Sequence, residues 1–525
     1  MKKLLILMMA LGFLASCDDF LEEEPRSEMS VDQFFSYPSH AYNAVNVLYR
    51  TGAPTFYSTG VYGGSRAMLG GYISGLFDND YKGQEVHVQH SQNLTLNGDN
   101  LAGYFDGAWD ACYLAISRAN LAVANIAETP DLTDSEIKQL EAEARFFRAF
   151  NYYYLVKTFG DVPLILDAYN SLDNLYVERT PVAQVYNQII DDLKYAVDQG
   201  GLDNLPMPAN DFRVSKATAA TLLADVYLNI SGYPVQNNSY AEAATAARQV
   251  INSGNFSLIA HGATESESAY NVMRLSDVED EYIYSIEYDA SISENYWQPA
   301  ICYPNSATAW GIFKYSITNN AYKPMPELLW IYDDEKDLRI QEKQFFHSSL
   351  TYMDGDEEVT KTFEISPYLW HNDEALFETG KNNKDMVVYR YAEVLLIAAE
   401  AIAQSEGVTS EAIGYLADVR ARAYWQTDRS DIVAELTGLS VDEFVKEVWK
   451  ERLRELSLEY RIWADIQRTH MFPVTNEANK GEVTFDNVVG HTTVWGKSLA
   501  EKHLLFPISE NERQRNPNLT QNSGY

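Results

Sequence analysis

Aromatic and amide side chains are concentrated in two stretches of the sequence that otherwise read as loops. The first stretch contains Tyr62, Arg66, Tyr72, Asp78, Asn79 and Tyr81 among glycines. The second contains Asn295, Tyr296, Trp297, Gln298, Tyr303, Asn305 and Trp310. Aromatic rings can stack on the CH-rich faces of neutral sugars, and amide, carboxylate and guanidinium groups can bond to sugar hydroxyls. This mixture predicts a binding face for a neutral glycan.

The two tryptophans are the preferred stacking residues of this predicted face. The full set of candidate ligand contacts is Trp297, Trp310, Tyr296, Tyr303, Asn295, Asn305, Tyr72, Arg66 and Tyr81. The alternative for any single ring is that it packs a loop onto the protein body, because most aromatic side chains in proteins are buried.

The sequence contains no strong signature of catalysis. Phosphate-binding and dinucleotide-binding glycine motifs, a nucleophile elbow and a zinc-binding HExxH motif are all missing. Glycosidases need two carboxylates at a defined separation, and 75 acidic residues leave such a pair open. We predict no catalytic residue and no cofactor.

Two short clusters have residue types that bind metals, but their spacing is poor. His87 and His90 lie near Glu85, and two histidines three residues apart more often have surface or packing roles. Asp78 and its neighbours resemble the start of a calcium loop, although Gln89 stands where the closing glutamate should be. We therefore predict no metal site.

The amino terminus has the pattern of a lipoprotein signal. Lys2 and Lys3 precede the apolar run Leu4–Leu14, which is too short to span a bilayer. The run ends at Leu14-Ala15-Ser16-Cys17, the arrangement that bacterial lipoprotein processing recognises. We predict a signal peptide over residues 1–16, acylation of Cys17 and an acidic tether over residues 17–30.

Charge and cysteine content exclude several classes of partner and site. The net charge of −35 opposes binding to nucleic acid and favours neutral ligands or divalent cations. Besides Cys17, only Cys112 and Cys302 are present, too few for a disulfide framework or a multi-thiolate zinc site.

Helical periodicity dominates the rest of the chain. It predicts three helix pairs, over Tyr104–Ala127 with Ser135–Phe159, Ser215–Ile230 with Tyr240–Ile251, and Tyr389–Gln404 with Ser410–Ala423. Alternation of large and small residues in the second pair resembles tetratricopeptide packing. We predict a mostly α fold, an α-α superhelix of tetratricopeptide-like pairs, in which loop and short-strand insertions over residues 55–100 and 260–385 form the ligand face.

One further helix is predicted over Val441–Arg468, where apolar residues recur at steps of three or four. Glu451, Glu455 and Glu459 lie one turn apart along it and could be taken for a metal or acid-base row. Because arginines are interleaved with them, we predict an ion-paired face instead.

Several blocks of sequence resemble the SusD/RagB family of outer-membrane nutrient-binding lipoproteins. The blocks are Cys17 with Phe20–Pro25, Glu143–Ala149, Tyr152–Val156, Phe159–Leu164, Arg390–Leu396, Ala399–Ala401, Glu451–Arg468 and Phe506–Tyr525. One departure is Tyr460, which stands where the family usually has glycine.

The resemblance implies both organisation and function. It implies a SusD-like amino-terminal region over residues 31–255 and a SusD/RagB carboxyl-terminal region over residues 256–525. It also implies a lipid-anchored protein on the outer membrane, facing the cell exterior, that captures glycan and delivers it to a SusC-like TonB-dependent transporter. A peptide-binding member of the same family and a surface glycosidase are the alternatives.

Overall fold

The computed structural model describes residues 34–51, 68–168, 175–289, 291 and 297–525. The predicted signal peptide, Cys17 and the acidic tether lie outside the described residues. Arg66, Asn295, Tyr296 and the side chain of Trp297 also lie outside them.

Helices account for most of the described chain. In chain order they are α1 Pro38–Thr51, α2 Leu69–Ser74, α3 Val86–Gln92, α4 Ala102–Asn125, α5 Asp134–Phe159, α6 Val182–Asp198, α7 Lys216–Ser231, α8 Tyr240–Ile251, α9 Ala269–Leu275, α10 Trp297–Ala300, α11 Pro326–Leu329, α12 Tyr391–Glu406, α13 Ser410–Ala423, α14 Arg429–Leu436, α15 Val441–Glu455, α16 Ile462–Thr469 and α17 Glu510–Arg515.

Local sequence explains where the long helices begin and end. At the start of α5, Thr133 and Glu136 form a reciprocal capping box, which satisfies backbone N–H groups that have no partner within the helix. Gly160 ends the same helix at φ 72°, a conformation that favours glycine. Helix α7 begins with a similar box between Ser215 and Thr218.

The helices pack in sequence as antiparallel pairs. Helix α4 packs on α5, α6 lies between α5 and α7, and α7 packs on α8. Helix α8 then packs on α12, across the 252–390 segment, and α12 pairs with α13. Arg248 on α8 supports this contact by binding Glu406 at 2.7 Å and Glu411 at 2.6 Å. The predicted mostly α fold of tetratricopeptide-like pairs is confirmed.

Strands are short and occur in four antiparallel pairs in the described chain. They are β1 Phe77–Asp78, β2 Tyr282–Ile286, β3 Lys323–Pro324, β4 Phe346–Asp354, β5 Glu357–Pro367, β6 Met386–Arg390, β7 Met471–Thr475 and β8 Val483–Asn487. The pairs are β1 with β3, β2 with β6, β4 with β5, and β7 with β8. Strand β2 lies within the 260–385 insertion, for which short strands were predicted, and its partner β6 leads directly into α12.

The single helix predicted over Val441–Arg468 is wrong, because the chain breaks between α15 and α16. Tyr460, in the break, has φ 61°, in the left-handed region that favours glycine. Its ring is held by stacking on Trp370, with centroids 5.8 Å apart, and by contact with Tyr322 at 5.3 Å. The apolar periodicity runs through the break because both helices face the same core.

The predicted ion pairing of the glutamate row is confirmed, but the row is buried and most of its partners come from elsewhere in the chain. Glu455 accepts hydrogen bonds from Arg390 at 2.6 Å, Arg422 at 2.6 Å and Arg339 at 2.8 Å. Glu451 pairs with Arg339 at 2.9 Å. Burial opposes the charge on Glu455, but the three guanidinium groups lower the pKa of its carboxyl to about 2.

Candidate functional site

The two aromatic stretches identified in the sequence lie side by side in the structure. Strand β1 pairs with β3, so the first loop region is joined to the second insertion by backbone hydrogen bonds. The Tyr81 hydroxyl donates a hydrogen bond to Asn305 Oδ1 at 2.9 Å, and the Asn305 backbone N–H donates to Asp80 at 3.3 Å. Two of the candidate residues, 224 positions apart, are therefore in direct contact.

Next to this contact lies a group of partly exposed rings, Trp310, Phe313, Phe363 and Phe377, here called the aromatic rim. Trp310 lies 6.1 Å from Phe313 and 5.9 Å from Phe363 between ring centroids. Phe313 lies 5.5 Å from Phe377. Each ring packs on its neighbours and keeps part of its surface open to solvent, which is the arrangement a sugar-stacking surface needs.

A buried polar layer supports the rim from below. Tyr303 contacts Trp310 and Phe363, and its hydroxyl shares a 2.8 Å hydrogen bond with His371 Nε2. His347 donates from Nε2 to the Cys302 carbonyl at 2.6 Å. Burial lowers the pKa of His347 to about 4 and holds the pKa of His371 well below its ordinary value. The layer is therefore uncharged at neutral pH.

Tyr72 and Tyr303 are corrections to the predicted contact set, because both are buried and present no surface to a ligand. Each is 0% exposed. The Tyr72 hydroxyl donates to the Ala321 carbonyl and accepts from Asn79 Nδ2 at 3.3 Å. Their burial depends on contacts with distant residues, which an aromatic-rich local sequence does not reveal.

The glycine pair beside Tyr72 explains how that ring reaches the core. All six residues of α2 are buried. A Cβ added to Gly70 would lie 2.3 Å from the Trp463 Cβ, and one on Gly71 would lie 2.6 Å from the Tyr322 hydroxyl oxygen. The paired glycines therefore mark a close approach of backbone to core rather than an open loop.

Trp310, Asn305 and Tyr81 remain candidate contacts. The three residues share one region, since Asn305 and Trp310 are the two ends of a single 3-10 turn and Tyr81 binds Asn305. Sequence analysis missed Phe313, Phe363 and Phe377. Phe363 lies on β5, whose largely polar sequence with a single aromatic ring could have drawn attention to it.

Charge near the rim is balanced locally. Lys323 lies 3.5 Å from Asp80 and also binds Glu364. Burial raises the pKa of Asp80 against the attraction of Lys323. The pKa of Lys323 is raised because its hydrogen bond to Glu364 and the attraction of Asp80 outweigh its burial. Both carboxylates are thus engaged by one ammonium group.

The residues considered as metal ligands have protein partners. Asp78 binds Lys82 and Gln92, each at 2.7 Å. His87 is buried, with Nδ1 2.6 Å from the Tyr104 hydroxyl. His90 shares a 2.9 Å hydrogen bond with Thr95. Within the ranges described above, no three His, Cys, Asp or Glu side chains are grouped as metal ligands would be.

Among the helices that the structure describes, none has both the length and the apolar character required to cross a bilayer.

Comparison with known proteins places the whole chain in one group. A family model described as the SusD family matches residues 309–525, and one described as starch-binding, associating with the outer membrane, matches residues 19–228. The chain is 27% identical to SusD-like protein P2 of Formosa agariphila, over 98% of this chain and 97% of that protein. It is 26% identical to the starch-binding protein SusD of Bacteroides thetaiotaomicron, over 76% and 75% of the two chains.

Solved structures agree with the sequence matches. A SusD superfamily protein from Parabacteroides distasonis superposes with a TM-score of 0.80 at 28% identity, covering 95% of this chain and 100% of that one. The two family models match regions at opposite ends of the chain, and the structural superposition covers both regions. The chain therefore belongs to the SusD/RagB family.

Proposed function

We propose that this protein is a cell-surface lipoprotein that binds a neutral glycan at the aromatic rim and delivers it to a SusC-like TonB-dependent transporter in the outer membrane. It binds the sugar without cutting it. Cys17 carries the acyl chains that hold the mature protein to the membrane, with its binding face towards the cell exterior.

The observation that carries the proposal is the position of Trp310 on a supported surface. Phe313 and Phe363 hold its ring, while Asn305 and Tyr81 supply amide and hydroxyl groups from the adjoining loops. Sugar recognition requires this combination of a flat apolar face and hydrogen-bonding groups at its edge.

The charge around the rim favours a neutral ligand. Lys323, beside the contact between Asn305 and Tyr81, is already engaged by Asp80 and Glu364. The histidines below the rim are neutral. Affinity at this surface would thus depend on stacking and neutral hydrogen bonds, which are insensitive to salt.

The relatives support a sugar as the ligand and the outer membrane as the location. One similar protein is named as a starch-binding protein, and one matching family model is described by starch binding and association with the outer membrane. The amino-terminal pattern ending at Cys17 supports the lipid anchor.

Affinity electrophoresis in gels containing starch, levan, xylan or mannan tests the proposal. We expect retention by at least one polysaccharide, and Trp310→Ala should weaken it by about 1–3 kcal/mol, or roughly 5- to 150-fold, because a stacked ring is lost. Trp425→Ala is the matched control, since Trp425 is also partly exposed but packs near His261 on the helical body.

Three results would contradict the proposal in different ways. Equal retention of Trp310→Ala and wild type would remove the rim from the binding site. Release of new reducing ends by purified protein would identify a glycosidase. Retention by no polysaccharide, together with capture of peptides, would identify a peptide-binding member of the family.

A further inference from the structure

A second cavity lies away from the rim, where the ends of α5, α7 and α16 meet the carboxyl-terminal segment. Its volume is about 450 Å³, within the range of small-molecule sites. Lys157, Tyr186, Asn229, Tyr233, Leu504 and Lys502 are among the residues that line it. It shares no lining residue with the aromatic rim.

The ammonium group of Lys157 in this cavity contacts aromatic rings instead of a carboxylate. Its ammonium group lies over the rings of Tyr153 and Tyr154, at 3.9 and 5.0 Å from their centroids. No carboxylate lies within 4.0 Å of its Nζ in the described parts of the chain. The neighbouring Arg468, by contrast, is neutralised by Glu400 at 2.6 Å and Asp465 at 2.7 Å.

The cationic character of the cavity contrasts with the rest of the protein. The whole chain has a net charge of −35, so its general field repels anions. Here Lys157 and Lys502 line one space, and the one carboxylate among the lining residues, Glu501, is 70% exposed and lies 3.7 Å from His470 Nε2 rather than on either lysine. Lys157 is only partly exposed, and Asp225 attracts it from beyond hydrogen-bonding distance, so a ligand carboxylate would supply the direct ion pair that it lacks.

The mouth of the cavity adds a flat surface. Tyr233 is 41% exposed, and its ring stacks on His470 with centroids 3.5 Å apart and planes at 8°. The cavity is also lined by the apolar side chains of Val156, Leu504 and Leu505. An acidic sugar has the matching pair of features, a CH-rich face and a carboxylate.

We propose that this cavity is a second binding site, which takes a uronic acid residue of an acidic oligosaccharide with its carboxylate on Lys157 and its sugar face on Tyr233. The site is independent of the rim. It would extend the protein's ligands from neutral glycans to acidic ones, and it stands or falls separately from the function proposed above.

Calorimetric titration of the full-length protein with digalacturonate, and with maltose as a neutral disaccharide, tests this site. We expect digalacturonate to bind and Lys157→Met to weaken its binding roughly 30-fold or more, because the ligand carboxylate would lose its charged partner. Lys157→Arg should restore part of the affinity, since it keeps the charge. Lys446→Met is the matched control, because Lys446 is a surface lysine paired with Asp442.

The pH dependence gives a second measurement. Burial lowers the pKa of Lys157 to about 8, against the attraction of Asp225, so digalacturonate affinity should fall as pH rises through that value. The other charged groups that act on Lys157 are Arg461, Glu393 and Asp465.

The results that would contradict an acidic-sugar site in the cavity differ from those that would contradict glycan binding at the rim. No heat of binding with millimolar digalacturonate, or equal binding by wild type and Lys157→Met, would overturn it. Retention of neutral polysaccharide by Lys157→Met should equal that of wild type in either case. A melting curve for each variant, measured without ligand, identifies any loss of folding.

Discussion

Replacing Glu455 with glutamine tests whether the buried ion network stabilises the fold. The carboxylate is 0% exposed, and its two oxygens accept hydrogen bonds from Arg390, Arg422 and Arg339. Glutamine has nearly the same volume but no charge. The substitution therefore removes attraction to three guanidinium groups without opening a cavity.

The magnitude follows from the pKa of Glu455. Its carboxyl has a pKa of about 2 instead of the ordinary 4.5. At about 1.4 kcal/mol for each pKa unit, the folded state favours the charged form by about 3 kcal/mol. Removing one partner of a buried ion pair typically costs about 3–5 kcal/mol. We expect Glu455→Gln to lower the free energy of unfolding by about 3–4 kcal/mol.

Urea unfolding at pH 7, followed by circular dichroism, measures this loss. The control is Glu406→Gln, since Glu406 is 44% exposed and pairs with Arg248 at the surface. A surface pair of this kind contributes about 0–1 kcal/mol. Losses of equal size in the two variants, or a loss under about 1 kcal/mol for Glu455→Gln, would refute the reasoning.

Acid titration provides an independent check on the same residue. A carboxyl whose folded pKa is lowered stabilises the protein fully above its unfolded pKa. For Glu455 that contribution is present above pH 4.5 and is lost as pH falls towards 2. The wild-type curve should therefore fall more steeply than the Glu455→Gln curve between these values.

Two further predictions concern buried thiols and the cavity lysine. Burial raises the pKa of Cys112 to about 12 and raises that of Cys302 well above its ordinary range. Neither thiol should therefore react with Ellman's reagent in the native protein. In the unfolded protein, two thiols should react if Cys17 is acylated, and three if it is not. Lys157→Met should raise the free energy of unfolding at pH 7 by about 2 kcal/mol. Holding the charge in the fold costs about 3 kcal/mol, and losing the contacts with the two tyrosine rings offsets about 1 kcal/mol of that gain. Wild type should gain stability as pH rises from about 8 to 10.5, and a less stable variant at pH 7 would contradict this account.

Local sequence was sufficient to predict most of the long helices. The predicted bounds of α8 and α13 coincide with the observed ones, because Ser253-Gly254 closes the first and Thr409 caps the second. Helix α6, Val182–Asp198, was not predicted. The break at Tyr460 was not predicted either. Apolar residues at helical spacing indicate which face of a helix is buried, but they do not show whether the helix is continuous.

The candidate site could be predicted only in part, since sequence locates aromatic rings but not their exposure. Trp310 and Asn305 do lie at a surface where both loop regions meet. Tyr303, two residues from Asn305, is buried because His371 bonds its hydroxyl from 68 positions away. Tyr72 is buried by a bond to Ala321, 249 positions away. Exposure of a ring depends on such distant partners, and a single sequence does not show which distant residues come into contact.

The buried network and the aromatic rim are connected through the pair of strands β2 and β6, because the rim residues lie between these strands in the sequence. Glu281 precedes β2, and Arg390 ends β6, the strand that returns the chain to the helical body. Arg390 bonds both Glu281 at 3.0 Å and Glu455 at 2.6 Å, so the start of β2 and the end of β6 are fixed to α15 by one guanidinium group. A surface that is ordered before binding does not lose conformational entropy when the ligand arrives. We infer that the network contributes to glycan affinity by holding the insertion in place, although none of the rim rings belongs to the network.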